Sequence, residues 1–173
     1  MNLSHIVAHH ADRRADETAF LYRGETATYG ELKSRMERMA GVLAEAGVGR
    51  GDVVAVLLHN SIRFIDVMCA TAHLGAVFMP LNWRLAGPEL EYILNHAEAK
   101  ALVSEEELKP LVEDLPNPPQ ATRLSIDGTS EGGWSSIAEM WDAASPVEEA
   151  AEVAGEDLHR LMYTSGTTSR PKA

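Results

Sequence analysis

The chain has 173 residues, 45% hydrophobic and 24% charged, and a formal net charge of −11. That size suits one domain, or one and a fraction, with enough chain to bury a core. The acidic balance argues against nucleic acid as the main partner, because phosphate backbones call for a basic face, and the single Cys69 excludes an internal disulfide.

Leu3 to Arg14 reads as a short helix with Ser4 as its N-cap. Thr18 to Tyr22 and Glu25 to Tyr29 are β-rich segments on either side of Arg23-Gly24, which predicts a hairpin. From Gly30 to Ala46 the period changes: Leu32, Met36, Met39 and Leu43 share one helical stripe, and Gly47 and Gly49 stop it. Val53 to Leu58 is a continuous apolar run, the pattern of a strand covered on both faces.

Ser61 caps a helix running to His73, and Gly75 to Pro80 is a second buried strand. Pro88 to Ala97 is a third helix, Lys100 to Val103 a strand, Glu105 to Leu115 a helix, and Thr122 to Ile126 a further strand. Asp127 to Ser135 and Ser145 to Asp157 are rich in Gly, Ser and acids and read as loops or linkers. Leu158 to Tyr163 returns as a strand. Alternating strands and helices predict an α/β fold: a mainly parallel sheet flanked by helices, with a small N-terminal β-hairpin. The expected division is 1–144 for the first α/β subdomain, 145–157 for an acidic linker, and 158–173 for a strand plus loop.

That loop, Thr164-Ser-Gly-Thr-Thr-Ser-Arg-Pro-Lys172, combines neutral hydroxyl and backbone donors with one mobile charge. Such donors can wrap a polyphosphate, and a hydroxyl can join the coordination sphere of Mg²⁺. It is not a Walker A loop, since Pro171 stands where the second glycine belongs. On composition alone a polar turn with a chance lysine remains open.

At these residues the chain resembles the adenylate-forming enzymes. Tyr163-Thr-Ser-Gly-Thr-Thr-x-x-Pro-Lys172 looks like that family's phosphate-loop signature. Thr28-Tyr-Gly-Glu-Leu32 resembles its early helix start, and Gly51-Asp-Val-Val-Ala-Val56 its first core strand. Gly75-Ala-Val-Phe-Met-Pro-Leu-Asn-Trp-Arg-Leu85 is similar to fatty and related acyl-CoA synthetases.

The resemblance implies an incomplete large domain of the adenylate-forming fold. It also implies ATP-dependent activation of a carboxylic acid, fatty or otherwise apolar, to an acyl-adenylate and then to acyl-CoA. ATP, Mg²⁺ and coenzyme A are the implied cofactors. Thr164, Ser165, Gly166, Thr167, Thr168, Ser169, Arg170 and Lys172 are the implied holders of the ATP phosphates. Ser169 and Ala173 stand where the family pattern has glycine; if position 169 needs a positive φ, serine costs about 1–2 kcal/mol there.

By the same resemblance the chain reads as an N-terminal fragment without turnover of its own, carrying no complete catalytic set and a poorly ordered terminal loop. Two alternatives stand beside this: a non-catalytic binding or self-assembly module, and an adenylation enzyme with a different acceptor. A domain cut in mid-sheet exposes apolar surface, so self-association is expected. Neither a secretory signal pattern nor an apolar run of about 18 residues is visible, so a cytoplasmic location is expected, with peripheral membrane contact open.

Other residues read as structural. Cys69 is a buried thiol, and Met36, Met39 and Met68 are core filler. The seven histidines form no metal cluster, with His9 and His10 solvated and His59 and His73 as local hydrogen-bonding groups. Glu105 to Glu107 is a helix start, and Trp83 packs against the helices.

Overall fold

The computed structural model describes residues 2–164. In chain order the elements are α1 (Leu3–Arg14), β1 (Thr18–Tyr22), β2 (Glu25–Thr28), α2 (Tyr29–Glu45), β3 (Val53–Leu57), α3 (Ile62–His73) and β4 (Val77–Pro80). Then come α4 (Gly87–His96), β5 (Ala101–Ser104), a 3-10 turn (Glu106–Leu108), α5 (Pro110–Glu113), β6 (Thr122–Ser125), β7 (Trp134–Ser136) and α6 (Ile137–Trp141).

Five strands form one parallel sheet in the order β4-β3-β5-β6-β7, and β1-β2 form a separate antiparallel hairpin. The predicted parallel sheet with helices on its faces is therefore present. Central β3 explains the continuous apolar run. Its side chains alternate between faces, and both faces are covered. Val54 and Val56 pack with α2, α3 and α6, whereas Ala55 and Leu57 pack with α4 and α5. Helix α1 lies outside, against α2 and α3. Cys69 and Met36 sit buried in that seam, as expected.

Local chemistry fixes several boundaries. Arg23 (φ 49°) and Gly24 (φ 89°) both turn left-handed, the geometry of a two-residue hairpin loop. Thr28 and Glu31 form a reciprocal capping box: Glu31 N–H donates to Thr28 Oγ1 at 3.2 Å, and Thr28 N–H donates to Glu31 Oε2 at 2.8 Å. Thr28→Ala should lower the unfolding free energy by about 1 kcal/mol in urea titration; an unchanged midpoint would remove the cap from the account. Ser61 caps α3 as predicted, accepting from Phe64 N–H at 3.1 Å.

Four expectations are corrected. Asn2, not Ser4, caps α1: its Oδ1 accepts from Ser4 N–H at 3.0 Å while its Nδ2 donates to the Ala72 carbonyl at 2.7 Å. Glu105 to Leu115 is not one helix. Pro110 has no N–H and its ring crowds the preceding turn, so a 3-10 turn stops before it and α5 restarts on it.

The span Leu158 to Tyr163 is not a full strand. Only the Phe78–Arg160 pair bridges to β4, with Phe78 N–H donating to the His159 carbonyl (3.1 Å) and Leu161 N–H to the Phe78 carbonyl (3.0 Å). The next rung would need an N–H at position 80, where proline has none. Finally, the loop read over Asp127 to Ser135 hides β7, which begins at Trp134 and pairs in parallel with β6.

Residues 145–157 contain no helix or strand but lie along α2 and α3 as a strap. Val147 N–H donates to the Glu37 carbonyl at 3.0 Å and Ala151 N–H to the His73 carbonyl at 2.8 Å. His73 Nε2 donates to the Val147 carbonyl at 2.8 Å, the local role expected of this histidine. Burial holds its imidazole below the usual range.

Candidate functional site

Parallel strands place their C-terminal ends at one edge, where α/β sheets hold ligands. Here β3 runs out into His59 and Asn60, β4 into Trp83 and Arg84, and β5 into Glu105. One carboxylate oxygen, Glu105 Oε1, accepts from the His59 N–H at 3.1 Å and also pairs with His59 Nδ1. Thus Glu105, which starts the 3-10 turn as expected, is also a cross-strand partner.

The His59 ring lies 4.6 Å from the Trp83 ring at 56°, and the Arg84 guanidinium sits 3.9 Å over Trp83. Half-buried Trp83 also packs on the α4 side of the core, as expected. An open cavity of about 800 Å³ at this edge is lined by Arg23, His59, Trp83, Arg84 and Glu105 among others.

The segment that leads to the predicted phosphate loop arrives at the same edge. It pairs in parallel with β4 at Phe78, so residues 161–164 run toward the end of that strand. The Tyr163 hydroxyl lies 2.7 Å from His96 Nδ1 on α4, and His96 stacks on Tyr92. Burial pushes the Tyr163 phenol up. Of the predicted phosphate-holding residues, Thr164 is described and exposed. Ser165, Gly166, Thr167, Thr168, Ser169, Arg170 and Lys172 lie outside the described residues, as does the expectation about loop order.

A second cavity, about 600 Å³, opens beside the N-terminal turn of α3, between α2 and α6. Asp66 lies in its wall, 4% exposed, with Arg35 Nε 3.2 Å from its Oδ1. Burial pushes the Asp66 carboxyl up to about 6, against the pull of Arg35 and Arg63. Sequence reading missed Asp66, because the cation it meets, Arg35, lies on a different helix. Neighbouring Cys69 is pushed up to about 12 by burial and then by Asp66, which makes it a poor nucleophile. Among the described residues, no group of three or more His, Cys, Asp or Glu side chains is arranged to hold a metal ion. Nor is any helix among them long and apolar enough to cross a membrane.

Residues 7–173 match the model of the AMP-binding enzyme family. Over 148 residues the chain is 36% identical to the long-chain-fatty-acid–CoA ligase FadD13 of Mycobacterium tuberculosis, covering 84% of this chain and 28% of that protein. It is 33% identical over 163 residues to the fatty acid–[acyl-carrier-protein] ligase ScoC of Streptomyces coeruleorubidus, covering 94% and 30%. The fold is similar to that of the anthranilate CoA ligase AuaEII solved with anthranoyl-AMP, with a TM-score of 0.90 and 27% identity over 99% of this chain and 33% of that one. The chain therefore spans about three-tenths of the length of the curated relatives it matches.

Proposed function

Because the chain belongs to the AMP-binding enzyme family, we propose that it supplies the phosphate-gripping part of a site that activates a carboxylic acid with ATP. The acid's carboxylate attacks the α-phosphate, an acyl-adenylate forms, and pyrophosphate leaves. A thiol then displaces AMP to give a thioester.

The chain's own contribution is positional and electrostatic. Hydroxyls and backbone N–H groups of Thr164, Ser165, Gly166, Thr167, Thr168 and Ser169 hold the β- and γ-phosphates, and Arg170 and Lys172 add charge as pyrophosphate departs. Mg²⁺, when bound, neutralises phosphate charge. A hydroxyl of this loop would join its coordination alongside the phosphate oxygens.

The observation that carries this reading is the parallel pairing of 159–161 with Phe78. It leads the chain to Thr164 at the C-terminal edge of the sheet. A fatty or other apolar acid is the proposed substrate and coenzyme A the proposed acceptor, in line with the FadD13 similarity. ScoC supports the variant in which a carrier-protein thiol accepts instead. The 173 residues alone are proposed not to turn over.

Acid-dependent ATP–pyrophosphate exchange tests the reading. The polypeptide from its native source should exchange label when a fatty acid is added, and Lys172→Ala should cut the rate at least about a hundredfold. The 173-residue chain should stay silent. Absence of exchange from the native polypeptide with every acid tried would refute the proposal.

A second reading, a self-assembly module, draws on exposed Leu158 (65%) and Met162 (57%) beside the sheet edge. Sedimentation as a clean monomer at high concentration would count against it.

A further inference from the structure

Two backbone hydrogen bonds tie the segment before the loop to β4, and Pro80 ends the ladder there. Two rungs specify register weakly, because a slip by two residues keeps every side chain on its own face. Burial does not choose strongly on the outer face either. Leu158 and Met162, the residues two places on either side of Arg160, are both exposed. On the inner face Leu161 and Tyr163 pack on the α4 side of the core, and Tyr163 meets His96; upstream of the first rung a polar contact adds a further constraint on register.

Asp157 makes that contact. Its Oδ2 accepts from an Arg50 guanidinium N–H at 2.6 Å and from the Ala154 backbone N–H at 3.0 Å. Arg50 stands in the turn between α2 and β3. That turn is bound to the chain entering β4, with Gly51 N–H donating to the Gly75 carbonyl at 2.9 Å and Val77 N–H to the Asp52 carbonyl at 2.8 Å. Arg50 is therefore a fixed reference at the start of β4, and Asp157 is pinned to it two residues before the first rung. Both donors also hold the Asp157 carboxyl below its usual range, so it is ionised at neutral pH.

We propose that Asp157 is a positioning residue of the phosphate-gripping loop: by bridging Arg50 and the Ala154 amide it helps to set the register of 159–161 on β4, and so where Thr164 begins. The loop's role rests on the function proposed above; the register claim does not. The role needs no contact between Asp157 and nucleotide or acid. Asp157 acts through the backbone, as a spacer of set length between a rigid turn and a loop whose placement governs phosphate contact.

Amide hydrogen exchange on the 173-residue chain tests the register. In Asp157→Ala the Leu161 N–H should exchange about tenfold faster, while the amides of Val56 and Val103 keep their wild-type rates. Asp157→Asn retains an acceptor oxygen and should stay within about twofold of wild type. Arg50→Ala should match Asp157→Ala, and the double variant should add nothing further. An unchanged Leu161 rate, or equal acceleration at Val56 and Val103, would overturn the claim.

In the acid-activating polypeptide, Asp157→Ala should raise the KM for ATP about tenfold and leave kcat within about twofold. Equal KM values would remove the positioning role. MgATP binding by that wild-type polypeptide checks the phosphate-grip reading separately: no binding refutes that reading and leaves the exchange result standing.

Discussion

Arg35→Met should lower the unfolding free energy by about 3 kcal/mol at pH 8 and by far less at pH 5. The reason lies in Asp66, whose side chain is 5% exposed and whose partner is Arg35 Nε at 3.2 Å. Removing the guanidinium leaves a buried carboxylate with only the weaker pull of Arg63, which costs much more than an exposed pair gains. At pH 5 the Asp66 carboxyl already carries a proton in the native state, so there is little charge to strand.

The sign follows from proton counts. Native Asp66 holds its proton up to about pH 6, against an ordinary value of 3.8 for the unfolded chain. Between those values the native state binds more protons, so this group's contribution to stability falls as pH rises. Across the window the loss amounts to about 3 kcal/mol.

Buried His73 pulls the other way, since burial lowers its pKa and the unfolded chain takes up its proton first as pH falls. Comparison of wild type with Asp66→Asn cancels His73. The wild-type advantage should grow as pH drops from 7 toward 4. In Arg35→Met the upper edge of the window should move above pH 6. Parallel stability curves for wild type and Asp66→Asn, from urea titrations at each pH, would contradict this account.

Gly41→Ala should cost about 1–3 kcal/mol, although alanine is the better helix former by about 1 kcal/mol. Gly41 lies mid-helix in α2, where the strap crosses. A Cβ there would stand 2.2 Å from the Ser145 carbonyl oxygen and 3.0 Å from its carbon. The obstacle is backbone and cannot rotate away.

The strap is held at that point by Arg38, which donates to the carbonyls of Trp141 (3.1 Å) and Ala144 (3.4 Å), and by the Val147–Glu37 bond. Making room strains those contacts and lifts Ala144, which is buried in the core. Thermal melts should show the loss. A variant as stable as wild type would mean the strap yields freely.

How far the sequence could be read follows from the range of the interaction involved. β3, β5 and the helices α2 and α3 announce themselves by periodicity, because each buries a face set by its own residues. β7 does not. It has three residues, follows Gly132-Gly133, and is held by pairing with β6 and by Trp134 Nε1 donating to Glu113 Oε1 at 2.8 Å. The segment 158–163 looked like a strand by composition, yet Pro80 at the end of neighbouring β4 removed its next rung.

Within the candidate site, the phosphate-loop motif was legible because its donors are contiguous. His59–Glu105 and Arg50–Asp157 were not, because 46 and 107 residues separate the partners.

By itself the sequence determined the class of fold, the glycine stop of α2, the cap of α3, the hairpin turn and the family. These rest on contacts within a few residues or on patterns of burial that each element carries alone. Only the tertiary structure decided which carboxylate meets which cation, where the strap crosses Gly41, and how the chain approaches Thr164. Those outcomes depend on which surfaces the packed sheet and helices bring together, and Asp66 shows the consequence. An aspartate that composition makes unremarkable becomes the most perturbed carboxylate among the described residues, because burial raises the cost of its charge and a distant arginine offsets only part of it.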